Sequence, residues 1–134
     1  MAYIRQKVPM NTIVKGSRGE DIACEFLVKR GFEIIDRNYR KPWGELDIIG
    51  KKDKAVHFFE VKSVNAKFDD AEGGHRPEDN VHGLKIRHIR KMVVTYLEEK
   101  GYGLDYEFYF HVLCVYMDMK TRRAKVKWIE NIIL

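Results

Sequence analysis

Three short apolar segments separated by tight turns follow one another in the first half of the chain. The pattern predicts strands over 32–39, 45–50 and 55–64, because apolar and β-branched residues fill each segment while Lys41–Gly44 and Lys51–Lys54 carry turn residues. Adjacent strands with such short connections pair as an antiparallel meander. The meander restricts the chain to folds that contain a sheet.

A helical pattern precedes the meander and another follows it. The apolar spacing predicts helices over 17–30 and 82–100, and two further apolar strands over 106–117 and 124–129. Residues 65–80 are rich in Asp, Glu and Gly and predict a long loop. The order αβββαββ predicts an α/β fold in which helices pack on a sheet.

The length and composition predict one domain, residues 16–134, preceded by a flexible N-terminal arm over 1–15. A mean hydropathy of −0.43 and a longest uncharged run of only Phe108–Met117 argue against a membrane protein. No signal-peptide pattern opens the chain, and Cys24 and Cys114 are predicted to be reduced thiols in the core. We therefore expect a cytoplasmic protein.

The net charge of +5 is unevenly distributed. Residues 1–44 carry +4, residues 45–80 carry −3 and residues 81–134 carry +4. Basic ends of this kind are typical of a protein that binds a polyanion, although a solvated surface of mixed sign gives the same totals.

Charged side chains converge on the second predicted hairpin. A register that joins Gly50 to Ala55 places Glu45 opposite Glu60, and directly opposed residues share a face. Because side chains alternate along a strand, that register predicts one face with four charged side chains: Glu45, Asp47, Glu60 and Lys62.

Three carboxylates this close repel one another unless a cation neutralises them. Mg²⁺ takes carboxylate oxygens and typically uses one or two protein carboxylates, so Glu45, Asp47 and Glu60 are candidate metal ligands. The Lys62 ammonium beside them could orient an attacking water or stabilise negative charge in a transition state. The alternative is a set of surface ion pairs on a solvated sheet face.

Glu20 is a further candidate acid. Ser17–Glu20 matches a capping box, in which the Glu side chain bonds the first backbone amide of the helix. Glu20 also shares a helix face with Ala23 and Leu27, which would turn it toward the sheet and toward a metal held there. The sequence leaves both roles open.

The second predicted helix carries four basic residues and no acid between His82 and Leu97: Lys85, Arg87, Arg90 and Lys91. They form either a solvated helix face or a set of phosphate contacts. The aromatic residues do not form an RNA-stacking pattern, so DNA is the expected nucleic acid. The histidines lack zinc-ligand spacing, and His57 is predicted to lie on the sheet face opposite Glu60.

An acidic strand residue, Asp47, followed thirteen positions later by Glu60-Val61-Lys62 resembles the signature of the PD-(D/E)XK nucleases. Glu20 resembles the helix glutamate of their Holliday-junction-resolvase branch. Residues 16–134 as a whole resemble the bacterial YraN-like family, in these segments: Gly16–Ala23, Gly31-Phe32, Arg37–Arg40, Gly44–Ile49, Glu60–Lys62, Lys85 and Trp128-Ile129.

The resemblance implies a restriction-endonuclease-like fold with a mixed central sheet. It implies a Mg²⁺- or Mn²⁺-dependent endonuclease that hydrolyses phosphodiester bonds in branched or structured DNA, and symmetric cutting of two strands would suggest a homodimer. By this resemblance Asp47 and Glu60 are the metal ligands, Lys62 is the catalytic lysine and Glu20 is a supporting acid.

Three features depart from the family pattern: Ser63-Val64 after the motif lysine, a longer loop before Lys85, and His111 where an aspartate is common. They bear on substrate preference more than on metal binding. Two alternatives stay open, a nucleic-acid-binding module of the same fold with weak or no hydrolysis and a protein-interaction domain whose acids are surface charges. Clustered acids repel phosphate, which favours the enzyme over the pure binding module.

Overall fold

The strands and helices of the described residues follow one another in the order βαβββαββ. The computed structural model describes residues 3–7, 18–65, 85–118 and 120–134. The strands are β1 Tyr3–Lys7, β2 Glu33–Lys41, β3 Gly44–Lys52, β4 Ala55–Asn65, β5 Phe108–Asp118 and β6 Arg123–Ile129, and the helices are α1 Arg18–Lys29 and α2 Ile86–Glu99. The predicted start of the second helix at His82 and the predicted loop beyond Asn65 lie outside the described residues.

The strands form one mixed sheet of order β1-β6-β5-β4-β3-β2. Neighbouring strands are antiparallel except β4 and β5, which are parallel. Parallel neighbours need a long crossover, and the segment that contains α2 provides it. The predicted α/β class is confirmed.

Residues Tyr3–Lys7 lie in the predicted N-terminal arm, but they form strand β1. Ile4 pairs with Val126, and the strand covers the edge of β6. An open strand edge carries unpaired backbone groups, which β1 satisfies. This part of the predicted arm therefore belongs to the sheet.

The two helices cover opposite faces of the sheet. Helix α1 buries Ile22, Ala23, Phe26 and Leu27 against one face, and α2 buries Met92, Val93, Tyr96 and Leu97 against the other. Strand β4 serves both cores, because Phe59 packs toward α1 and Phe58 toward α2. A central strand buried on both faces explains the nearly continuous apolar character of β4 and β5.

The hairpin between β3 and β4 closes through two residues. Lys52 pairs with Ala55, and Asp53 and Lys54 both have positive φ angles, 52° and 64°. Two-residue hairpin turns favour this left-handed backbone. The predicted pairing of Gly50 with Ala55 is wrong by two residues because it assumed a four-residue turn, and Gly50 pairs with His57.

Cys24 and Cys114 are free thiols, the first half-buried and the second fully buried. Helices α1 and α2, the helices of the described residues, are too short or too polar to cross a membrane.

Candidate active site

Asp47 lies where β3 and β4 separate. The regular pairing of the two strands ends at Ile48 and Phe59. Beyond that point the Asp47 carboxylate Oδ2 accepts a hydrogen bond of 2.7 Å from the backbone amide of Val61. The Asp47 side chain thus accepts the hydrogen bond that a backbone carbonyl of the neighbouring strand would accept in a regular ladder. This contact holds Asp47 almost completely buried, with 4% exposure.

The side chains of β3 do not alternate regularly around Asp47. Leu46 and Ile48 should face the same way, but Leu46 packs in the α2 core and Ile48 in the α1 core. The regular alternation on which the prediction of one face with four charged side chains rested is therefore wrong, because β3 changes sides at Asp47. The charge of Glu45 nevertheless acts on Glu60.

Strand β2 changes sides at the same level. Arg37 reaches Asp21 of α1 at 2.9 Å, whereas Tyr39 packs toward α2. Asn38 between them has a φ of +52°. Asn adopts this left-handed conformation more readily than most residues, so Asn38 allows β2 to follow the change of side in β3.

The buried carboxyl group of Asp47 and the half-buried carboxyl group of Glu60 form a pair within hydrogen-bonding reach of each other. Burial is the main cause that raises the pKa of Asp47, to about 8, and the charge of Glu60 adds to it. Burial also raises the pKa of Glu60, while Lys62 works in the opposite direction. Without a bound divalent ion the two carboxyl groups therefore tend to keep one proton, even beside Lys62. A bound divalent ion would favour the ionisation of both groups.

Lys62 lies beside this pair. Its Nζ is 3.4 Å from Glu60 Oε1, and the lysine side chain is 36% exposed. The Lys62 ammonium therefore contacts the half-buried carboxyl group of Glu60 and is also exposed to solvent, so a water or a phosphate can reach it.

Glu20 faces the strands rather than solvent. The side-chain amide nitrogen of Asn38, oriented to satisfy its hydrogen bonds, donates to both Glu20 carboxylate oxygens at 3.2 and 3.3 Å, and Arg37 Nη2 is 3.6 Å from Glu20 Oε2. The charge of Glu20 contributes to the raised pKa of Asp47. These contacts agree with the role of Glu20 as an acid turned toward the sheet. The capping box cannot be compared with them, because Ser17 lies outside the described residues.

Close packing of α1 on β4 sets the position of Glu20. A Cβ built at Gly19 would lie 1.6 Å from Ser63 Oγ, so only glycine permits this approach. Ser63, one of the departures from the family pattern, thus supports the first turn of α1.

Glu45 lies close enough to the carboxyl pair for its charge to help raise the pKa of Glu60. Its own carboxylate Oε2 accepts a 2.9 Å hydrogen bond from Arg40 Nε, and its side chain is 46% exposed. The described residues contain no group of three or more His, Cys, Asp or Glu side chains placed to hold a metal. A pair is still enough for Mg²⁺, which typically takes one or two protein carboxylates together with water and substrate phosphate.

Comparison with known sequences identifies the family of the chain. The model of "Uncharacterised protein family UPF0102" matches residues 19–127. The chain belongs to the UPF0102 family. This is the YraN family, so the resemblance of the sequence to the YraN-like family is confirmed.

Curated UPF0102 proteins are similar to this chain along most of its length. A Campylobacter lari protein is 38% identical over 117 residues, which cover 87% of this chain and 91% of the relative. A Campylobacter fetus protein is 36% identical over the same shares. A Thermotoga neapolitana protein is 42% identical over 82 residues, 61% of this chain and 70% of the relative.

The basic residues of this UPF0102 protein are exposed along α2 and at the residue before it: Lys85, Arg87, Arg90 and Lys91. Lys91 reaches the start of β3, with its Nζ 4.4 Å from the centroid of the Trp43 ring. Arg90 lines a cavity of about 570 Å³ between α2, the start of β5 and residues 131–134. This cavity has apolar walls without an Asp or Glu, and the Asp47–Glu60 pair does not line it.

Two histidines occupy the opposite side of the sheet from Glu60. His57 Nδ1 is 2.9 Å from His111 Nε2, and His111 Nδ1 accepts a 3.1 Å hydrogen bond from the backbone amide of Asn131. Burial lowers the pKa of His111 to about 3 and also lowers that of His57. The predicted placement of His57 is confirmed, and His111 acts as a neutral core residue.

Sequence reasoning missed Arg37 and Asn38 as parts of the site. The segment Arg37–Arg40 contributed to the family resemblance, but no pattern linked it to Glu20. Only the fold shows that β2 brings this segment against the first turn of α1.

Proposed function

We propose that this UPF0102 protein is a Mg²⁺- or Mn²⁺-dependent endonuclease that hydrolyses phosphodiester bonds in DNA, with branched or structured DNA as its substrate. One observation carries the proposal: the buried carboxyl group of Asp47 meets the half-buried one of Glu60 where β3 and β4 separate, and the Lys62 ammonium lies 3.4 Å from Glu60. The mixed sheet with a helix on each face supports a restriction-endonuclease-like arrangement.

In this proposal Asp47 and Glu60 hold the metal ion. The bound ion supplies Lewis-acid activation of a water and of the phosphate oxygens. The hydrogen bond from the Val61 amide fixes the Asp47 carboxylate, and Lys62 orients the attacking water or stabilises the charge that develops on the phosphate. Glu20, held by Arg37 and Asn38, adds negative charge near the pair and positions water.

The exposed basic side chains Lys85, Arg87, Arg90 and Lys91 would contact DNA phosphates and position the strand. The proposal extends to a homodimer for symmetric cutting of two strands, and to the cytoplasm, where both free thiols stay reduced.

The test is incubation of the purified protein with labelled junction, flap, single-stranded and duplex DNA, with and without Mn²⁺. We expect metal-dependent products from the wild-type protein and a loss of at least about 100-fold in rate for Asp47→Asn and for Lys62→Gln, since each removes charge from the reacting centre. Glu25→Gln, which changes an exposed acid paired with Lys29, is the matched control and should cleave like wild type.

No product on any DNA, or equal cleavage by Asp47→Asn, contradicts the proposal. DNA binding without cleavage under every metal condition would instead favour the alternative of a binding module of the same fold.

A further inference from the structure

Trp43 occupies the two-residue turn, Pro42-Trp43, between β2 and β3. It is 39% exposed. A single exposed apolar residue is ordinary, so exposure alone says little about Trp43. What distinguishes Trp43 is its contact with α2 and its place just before the strand that carries Asp47.

The Trp43 turn is fixed against α2. Lys91 Nζ lies 4.4 Å from the ring centroid, in a cation–π contact. The next residue, Gly44, approaches α2 so closely that a Cβ built there would lie 3.2 Å from Met92 Cγ. The ring is therefore held in place at low entropic cost while two-fifths of the residue surface remains open.

Trp43 also lies close to the proposed reaction centre along the chain. Trp43 and Asp47 are four residues apart, which is about 13 Å along a strand. That length corresponds to about four stacked nucleotide steps. Lys91, which contacts the indole ring, is one of the exposed basic residues of α2, so Trp43 adjoins the surface proposed to contact DNA phosphates.

We propose that Trp43 is a stacking platform for an unpaired base about four nucleotides from the phosphate bound at Asp47 and Glu60. The position relative to that phosphate rests on the proposed endonuclease function. In a duplex each base is stacked between its neighbours, so an indole ring gains a partner only where bases are unpaired. The platform selects DNA with a single-stranded segment, such as a flap, a gap or an open junction, over continuous duplex.

Intrinsic fluorescence tests this directly, because the chain has two tryptophans and Trp128 is packed among Phe26, Phe32 and Phe59. Binding is measured in EDTA, so that no cleavage occurs, with an oligo(dT) of about twelve nucleotides and a blunt duplex of equal length. We expect the oligo(dT) to quench wild-type fluorescence strongly and Trp43→Phe fluorescence weakly.

Affinity in the same titrations separates stacking from charge. Trp43→Ala should weaken oligo(dT) binding about tenfold and duplex binding less than about twofold, while Trp43→Phe, which keeps an aromatic face, should stay within about threefold of wild type. The control Val28→Ala removes another exposed apolar side chain, 57% exposed, on α1 and so on the opposite face of the sheet from α2, and should change neither affinity.

Equal losses for both DNAs, a Phe variant as weak as the Ala variant, or a wild-type protein that binds neither DNA would overturn the platform. The endonuclease proposal fails separately: quenching with the expected affinities but no cleavage in Mn²⁺ would reject hydrolysis and keep the stacking site. Cleavage that is indifferent to Trp43→Ala on flap and duplex alike would reject the stacking site alone.

Discussion

Replacing Asp47 with asparagine should make the protein more stable at neutral pH. The amide keeps the size of the side chain, and its oxygen can still accept the hydrogen bond from the Val61 amide. What disappears is a buried carboxyl group that must either keep a proton at neutral pH or ionise next to Glu60, and both are unfavourable. In the proposed metal site this cost in stability would be offset only when the divalent ion is bound.

The pKa of Asp47 rises from 3.8 in the free side chain to about 8 in the folded protein. Between these values the unfolded chain has already released the proton that the folded protein retains, so the folded state loses stability as pH rises from about 4 toward 8. One pKa unit is worth about 1.36 kcal/mol, which sets the loss near pH 7 at about 4 kcal/mol at most. We expect Asp47→Asn to gain about 2 kcal/mol at pH 7.5 and less than about 0.5 kcal/mol near pH 4.

Urea unfolding of wild type, Asp47→Asn and the control Glu25→Gln at three pH values measures these differences. Adding Mn²⁺ should make wild type more stable than Asp47→Asn at pH 7.5. An ion at 100 times its Kd stabilises the wild-type protein by about 2.7 kcal/mol, whereas the variant lacks one of the two proposed ligands. An Asn variant that is less stable than wild type at pH 7.5, or whose advantage does not change with pH, would refute the reasoning.

Three further changes test the packing around the site. Gly19→Ala should cost about 1–3 kcal/mol of unfolding free energy, because the new methyl group collides with Ser63 Oγ, and a Gly19→Ala/Ser63→Gly double variant should recover part of it; no recovery would place the strain elsewhere. Asn38→Val should be less stable than Asn38→Gly by about 1–2 kcal/mol in the same urea series, since a β-branched residue does not tolerate a φ of +52°, and equal stability would contradict this role. His111 stays neutral when buried, so its own contribution to stability falls as pH drops from 6.5 toward 3, opposite in sign to the contribution of Asp47; the stability of wild type relative to His111→Gln should therefore fall over this range, and a constant difference would contradict this role for His111.

Periodicity was enough to predict most of the fold. The buried positions of α1 and α2 recur at helical spacing, and β4 and β5 are apolar throughout, so their types followed from the residues alone. β1 could not be predicted this way, because five residues that pair at a sheet edge carry no period of their own and depend on β6 for their hydrogen bonds.

The candidate site was predictable in its members and less so in its geometry. Asp47, Glu60 and Lys62 were identified from spacing and resemblance, and the structure brings them together. The route differs from the predicted one, because the turn contains two residues and β3 changes sides at Asp47. A local break in alternation depends on contacts with both helices, which no window along one strand contains.

Contacts across the sheet decided the remaining roles. Glu45 was a candidate ligand because the predicted register placed it opposite Glu60; in the structure its carboxylate binds Arg40, its partner across the β2–β3 hairpin, while its charge still acts on Glu60. Asn38 belongs to a segment that resembles the family, but the sequence assigned it no role. Its role depends on its left-handed backbone opposite Asp47 and on its contact with Glu20 of α1.

The most direct test of the central claim is the position of a bound metal. Crystals soaked in Mn²⁺ and measured for anomalous scattering should show one peak between the carboxylates of Asp47 and Glu60, at about 2.1–2.3 Å from an oxygen of each, and no such peak in crystals of Asp47→Asn. A wild-type crystal with no peak at this pair, or with its manganese bound elsewhere, would contradict the account.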